Sequence, residues 1–226
     1  MRDLDEAVLT ARFDDAVHVI VLAGAGEKFF CAGADIGMLN DVTPAYKYQF
    51  CLHANETLNR IEHTPKLVIA ALGGHCVGGG LEIAMACDLR IARQDSGKCG
   101  VPEIALGVLP GTGGTQRLVR MVGKSRAIEL MASGRLLAYD EARALGIVDD
   151  VRSAASDAQF MDDVLSYARS FCPPNKASLS VGLIKRAVQT GAEIPLESGL
   201  ALERELQARL FSSADAKEGI AAFVEK

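Results

Sequence analysis

The sequence predicts an α/β fold that passes into a helical C-terminal region, and three features carry that expectation. Residues 16–22 (AVHVIVL) and 67–72 (LVIAAL) are apolar but for His18 and rich in β-branched side chains, as strands covered on both faces are. Helical patterns alternate with these runs, which places helices over the faces of a sheet. Beyond residue 112 the pattern is helical almost without interruption.

Residues 1–15 read as the tail of a helix, followed by strand 16–22 and a Gly-rich loop over 24–35. Thr43-Pro44 has the form of an N-cap with proline at the first helical position. The helix it opens sets Phe50, Ala54, Leu58 and Ile61 on one face, and Pro65 lies beyond its end. Gly73-Gly74 closes strand 67–72. Gly78-Gly79-Gly80 then opens a short, very apolar helix that contains Glu82, and 89–92 is strand-like. Helices are expected near 113–121, 124–132, 138–145, 156–171, 176–190, 196–211 and 214–225, with Pro173-Pro174 between two of them and Ser213 as a cap for the last. The change near 151 divides the chain into an α/β core, 1–151, and a helical C-terminal region, 152–226.

Hydrophobic residues make up 49% of the 226 and charged residues 23%, a composition that buries a core and lies far from the disordered regime. A formal net charge of −5 argues against nucleic acid or an anionic membrane as the main partner. Cysteines stand at 31, 51, 76, 87, 99 and 172 without a CxxC pair or a Cys/His zinc spacing. They are expected to be reduced structural thiols in a cytoplasmic protein that holds no metal. No apolar run reaches the roughly 18 residues that span a bilayer. The N-terminus lacks a signal-peptide pattern, which leaves open an organellar targeting segment upstream of Met1.

Several glycine-rich stretches invite a phosphate-binding reading and fail it. Gly24-Ala25-Gly26 lacks the third glycine of a dinucleotide fingerprint, and Gly111-Thr112-Gly113-Gly114-Thr115 lacks the Lys-Ser/Thr ending of a P-loop. Gly78-Gly79-Gly80 lies between a strand and a helix. It is either a tight turn or a place where free N–H groups at a helix start stabilise an oxygen gaining negative charge. Glu82, inside LEIAMACDL, is costly to bury unless paired or hydrogen-bonded. It reads equally as a catalytic carboxylate or as half of an ion pair with Arg90 or Arg117. Glu103, after Pro102, reads as a second acid/base group or as a first-turn carboxylate. No Ser/His triad is recognisable, and His75 reads as structural.

Ordered motifs then carry a resemblance to a known family. Phe30-Cys31-Ala32-Gly33-Ala34-Asp35-Ile36 resembles the first oxyanion segment of crotonase-fold (enoyl-CoA hydratase/isomerase) enzymes. Gly78-Gly79-Gly80-Leu81-Glu82, continued by Ala86-Cys87-Asp88-Leu89-Arg90-Ile91-Ala92, resembles the second. Pro102-Glu103-Ile104, with Gly107 and Leu109 through Leu118, resembles the third; Ser133-Gly134-Arg135 and residues 142–148 extend the likeness.

The resemblance implies a crotonase-like spiral of ββα units with a helical C-terminal region that trimerises. It implies an oxyanion hole from the N–H groups of Ala34 and Gly79. CoA and substrate contacts are implied at Ala32, Ala34, Asp35, Ile36, Gly37, Gly79 and Gly111. Glu82 and Glu103 are implied as the catalytic pair of a 2-enoyl-CoA hydratase, with Glu82 as base toward water and Glu103 as proton donor to the α-carbon. Coenzyme A belongs to the substrate, and no separate cofactor is implied. The expected assembly is a homotrimer or homohexamer, and the acyl pocket is expected to be walled by helix 43–63 and the C-terminal helices. Isomerisation of an enoyl-CoA, or hydration of a cyclic or dienoyl-CoA, is the alternative within enzymes. A non-catalytic or RNA-binding member is the alternative of another class, for which Lys176, Lys185 and Arg186 supply only thin charge. Against the family pattern, the opening strand and an Asn-Arg-Pro-type loop have no counterpart within these residues, and the C-terminus stops early. The stretch 93–101 is one residue longer, and Gly37 stands where many relatives carry lysine.

Overall fold

A computed structural model describes residues 1–225. Helix α1 (Arg2–Phe13) leads into β1 (Val19–Ala23), β2 (Phe29–Cys31), α2 (Ile36–Asp41) and α3 (Pro44–His63). The same plan repeats in β3 (Leu67–Leu72), β4 (His75–Val77) and α4 (Gly79–Ala86). It repeats again in β5 (Leu89–Arg93), β6 (Lys98–Gly100), a 3-10 turn (Glu103–Leu106), α5 (Gly114–Val122) and α6 (Lys124–Ser133). Then come β7 (Leu137–Ala138), α7 (Tyr139–Ala144), β8 (Asp150–Arg152), α8 (Asp157–Arg169), α9 (Ser178–Gly191), α10 (Leu196–Phe211) and α11 (Ala214–Val224).

In each of the three turns the first strand joins one sheet and the second strand joins another. The first sheet runs β1-β3-β5-β8, all parallel, and the second runs β2-β4-β6-β7, parallel except for β6-β7. This is the ββα spiral expected above.

Strand β3 shows why its residues are all apolar. Val68, Ala70 and Leu72 face a core shared with Leu58 and Ile61 of α3 and Leu81, Ala84 and Met85 of α4. Ile69 and Ala71, on the other face, pack with Ile91 under Phe160, Val164 and Ala168 of α8. Both faces are therefore covered, as a continuous apolar run requires. Residue 151 falls inside β8, and α8 closes one face of the first sheet.

Local differences from the sequence expectation have local causes. Strand β1 starts at Val19 rather than 16 because the Asp14 carboxylate accepts from Ala16 N at 2.9 Å and the Asp14 carbonyl accepts from Val17 N at 3.0 Å. Those bonds curl the chain into a turn. Strands β2, β4, β6, β7 and β8 have two or three residues each, too few to show a period. Thr43 caps α3, its hydroxyl accepting from Tyr46 N at 3.2 Å, with Pro44 at the first helical position.

Helix α9 is tied to the core by Lys185. Its ammonium pairs with Asp88 at 2.8 Å and donates to the carbonyls of Ile61 (2.9 Å) and Lys66 (3.0 Å). Lys185 is therefore not part of a free basic face with Lys176 and Arg186.

Phe160 is fully buried at the centre of the α8 contact. Phe160→Ala is expected to cost about 3–5 kcal/mol of unfolding free energy, measured as a fall in the denaturant midpoint.

Candidate active site

Parallel pairing in the second sheet assembles the site. Strands β2 and β4 end side by side, so the segments that follow them, 32–35 and 78–80, also lie side by side. A Cβ on Gly33 would sit 3.0 Å from Gly79 N, and one on Gly79 would sit 3.8 Å from Ala34 N. Gly33 and Gly78 hold φ of +91° and +59°, a region open mainly to glycine. Gly79 is the first residue of α4, and neither its N–H nor that of Ala34 has an acceptor among the described residues. The two N–H groups expected from the sequence are thus adjacent and free, at the positive end of a helix.

Strand β6 brings the third part. Gly78 N donates to Gly100 O at 2.8 Å, and two residues beyond Gly100 the chain reaches Pro102-Glu103. Before Pro102 the chain turns at 94–97, where Asp95 has φ +57° and Ser96 Oγ donates to Arg93 O at 2.8 Å. Glu103 therefore arrives over Gly78, its Oε1 lying 3.0 Å from where a Cβ on that residue would stand.

Glu82 lies one turn into α4 and is only 2% exposed. Its Oε1 accepts from Thr112 N at 2.8 Å and from Gly114 N at 2.7 Å, and its Oε2 accepts from the Thr112 hydroxyl. The ion-pair alternative for Glu82 does not hold. Arg90 is engaged by Asp149, Ile147 O and Cys87 O, and Arg117 by Glu62 and Asn59. Glu82 Oε2 also lies 3.8 Å from the position a Cβ would take on Gly79. The two carboxylates thus stand beside consecutive residues at the helix start.

Their surroundings differ sharply. Glu82 has three donors, whereas Glu103 Oε2 is buried with no hydrogen-bond partner among the described residues. Burial, and then the negative charge of Glu82, push the Glu103 carboxyl above its ordinary value near 4.5. One carboxylate is held as an acceptor and the other favours its protonated form, the arrangement from which acid and base roles separate.

The remaining expected residues sit around this centre. Ala32 lies between Cys31 and the free N–H pair. The Asp35 carboxylate caps α2, accepting from Gly37 N at 2.8 Å and Met38 N at 3.3 Å, so its side chain and Gly37 N serve the local fold. Ile36 is 61% exposed. Gly111 packs against α3, where a Cβ would stand 3.1 Å from Cys51 Sγ. His75 accepts from Lys98 N at 3.1 Å and is structural. Thr112 was missed as a site residue: its role depends on a loop meeting a helix 30 positions earlier, which no local pattern reveals. Arg117 braces that loop, donating to Thr112 O at 3.4 Å while bound to Glu62.

A separate cleft of about 740 Å³ lies at the N-terminal ends of β1 and β3, beside α9. Its Lys185 is already paired with Asp88, and its Glu62 with Arg117.

Residues 1–226 match the sequence profile of the enoyl-CoA hydratase/isomerase family. The short-chain-enoyl-CoA hydratase of Clostridium acetobutylicum is 36% identical over 226 residues, 100% of this chain and 84% of that protein. The crotonyl-CoA hydratase of Syntrophomonas wolfei is 35% identical over 224 residues, 99% of this chain and 84% of its own. The crystal structure of an enoyl-CoA hydratase from Geobacillus kaustophilus superposes with a TM-score of 0.95 at 45% identity, over 99% of this chain and 83% of that one.

The raised Glu103 affinity has a consequence for stability. The folded state binds more protons than the unfolded chain between the ordinary carboxyl value and the raised one, so Glu103 destabilises the fold increasingly as pH rises through that window. Glu103→Gln is expected to raise Tm at pH 7.5, at about 2–4 °C per kcal/mol regained. The gain should vanish below about pH 4, as read by thermal scans at both pH values.

Proposed function

Because the chain belongs to the enoyl-CoA hydratase/isomerase family, we propose that it is an enoyl-CoA hydratase. The reaction is syn addition of water to a 2-enoyl-CoA, giving a 3-hydroxyacyl-CoA. The single observation that carries this reading is the unequal carboxylate pair, Glu82 with three donors and Glu103 with an orphaned buried oxygen, beside two free N–H groups.

In this reading the thioester oxygen accepts from Ala34 N and Gly79 N. Those donors stabilise the enolate charge that develops as the β-carbon is attacked, and losing one such donor typically costs about 2.7–4 kcal/mol. A water lies between the carboxylates. Glu82 accepts one proton from it as its oxygen bonds to the β-carbon, and Glu103 delivers a proton to the α-carbon on the same face. The proton then stands on Glu82, and the next water, bonded to both groups, returns it to Glu103. The net change is the elements of one water. No electrons are transferred, so the reaction calls for no redox cofactor, and the thioester is polarised by N–H groups without a metal. Residues 32–37 and Gly111 are assigned to the CoA and substrate contacts by family likeness. The exposed side chains of Ile184, Val188, Leu196 and Phe211 support burial of α9 and α10 in a homotrimer or homohexamer. A cytoplasmic role in fatty-acid or related acyl-CoA degradation fits the reaction, and no described helix is long and apolar enough to cross a membrane.

Loss of enoyl-thioester absorbance with crotonyl-CoA tests the reading. Glu82→Gln and Glu103→Gln should each lower kcat by about 10²–10⁴-fold, and wild-type turnover in both would sink the proposal. Thr112→Val removes a hydrogen bond to a charged group, worth about 1.5–3 kcal/mol. It should lower kcat about 10–100-fold with little change in KM, and Thr112→Ser should restore most of the rate.

A further inference from the structure

Helix α3 runs in the same direction as the segment that links Glu103 to Arg117, and contacts between them step along both in order. Arg117 binds Glu62 and Asn59. A Cβ on Gly113 would lie 3.6 Å from Asn55 Oδ1, and one on Gly111 would lie 3.1 Å from Cys51 Sγ. Each step back along the segment meets α3 about one turn earlier. The next position on that stripe, four residues before Cys51, is Lys47, and the segment there leads back to Glu103.

Lys47 is partly buried, and its ammonium stands 4.8 Å from the centroid of the Phe50 ring. No carboxylate lies within 4.0 Å of it among the described residues, and it makes no hydrogen bond there. Its positive charge is felt at Glu103, where it opposes the upward push of burial. The ring partner holds the ammonium in place without neutralising it.

We propose that Lys47 determines acyl specificity by pairing with a carboxylate on the acyl chain, so that the site takes enoyl-CoA monothioesters of dicarboxylic acids. The proposal rests on the hydratase reading. With C1 of the thioester at Ala34 and Gly79, and C2 and C3 between the glutamates, the chain beyond C3 has the α3 stripe as its wall. Lys47 is the unpaired cation of that stripe. A phosphate of CoA has the same anionic chemistry, so the test must separate the two sources.

Glutaconyl-CoA and 2-pentenoyl-CoA have the same carbon count and differ in a terminal carboxylate against a methyl group. The native protein should favour glutaconyl-CoA by about 10-fold or more in kcat/KM. Lys47→Met should lower kcat/KM for glutaconyl-CoA about 10-fold or more while leaving 2-pentenoyl-CoA within about 2-fold, a result that also reports an intact fold. The same contrast should persist with the corresponding pantetheine thioesters. Equal loss on both substrates, no loss on either, or an effect that disappears with pantetheine thioesters would overturn the proposal. Calorimetric binding of the unreactive glutaryl-CoA and pentanoyl-CoA repeats the comparison without chemistry. Discrimination that depends on Lys47 in binding, in a protein that hydrates neither enoyl thioester, would sink the hydratase reading and leave this inference standing.

Discussion

Parallel pairing of β2, β4 and β6 is the constraint on which the site depends. None of these strands is longer than three residues, yet each ends directly before a functional segment. Their alignment sets Ala34, Gly79 and Glu103 around one point without any side chain reaching far. Gly80 shows how tight the approach is, since a Cβ there would lie 2.1 Å from Cys31 O. The first sheet and its two covering layers act as the mount. They bury β3 on both faces and hold β4, only two residues further on, at a fixed height.

A second constraint makes the two glutamates chemically different. Glu82 is presented by the helix that begins at Gly79 and is gripped by a loop from the following unit of the spiral. Glu103 has one oxygen left unpartnered in the interior. A fold selected for stability alone would satisfy that oxygen or replace the group. The cost is local, and burial of the carboxyl is also what favours its protonated form. Arg117 extends the grip outward, joining the Thr112 loop to α3 through Glu62.

Much of this was legible in the residues. Strand β3 matches its expected span, 67–72, residue for residue. The Thr43 cap and the helices beyond 112 fall within a few positions of their patterns, because caps, glycines and long periodic runs are local signals. The short second strands were not legible, since two or three residues carry no period and their existence depends on partners far along the chain. The two readings of Glu82 were equal in the sequence, and what removed the ion pair was tertiary. Arg90 turns to Asp149, Arg117 turns to Glu62, and backbone N–H groups of a distant loop take their place. The ordered motifs located Glu103, but its orphaned oxygen could be seen only once the fold around it was known.

In the proposed reaction one point between α4 and the 32–35 segment holds a thioester oxygen while two unlike carboxylates face the carbons beyond it. A crystal structure with acetoacetyl-CoA bound tests this most directly. The thioester oxygen is expected within about 2.7–3.1 Å of both Ala34 N and Gly79 N, with Glu82 and Glu103 on either side of the C2–C3 bond. A thioester bound elsewhere, or with only one of the two glutamates at the reacting carbons, would contradict it.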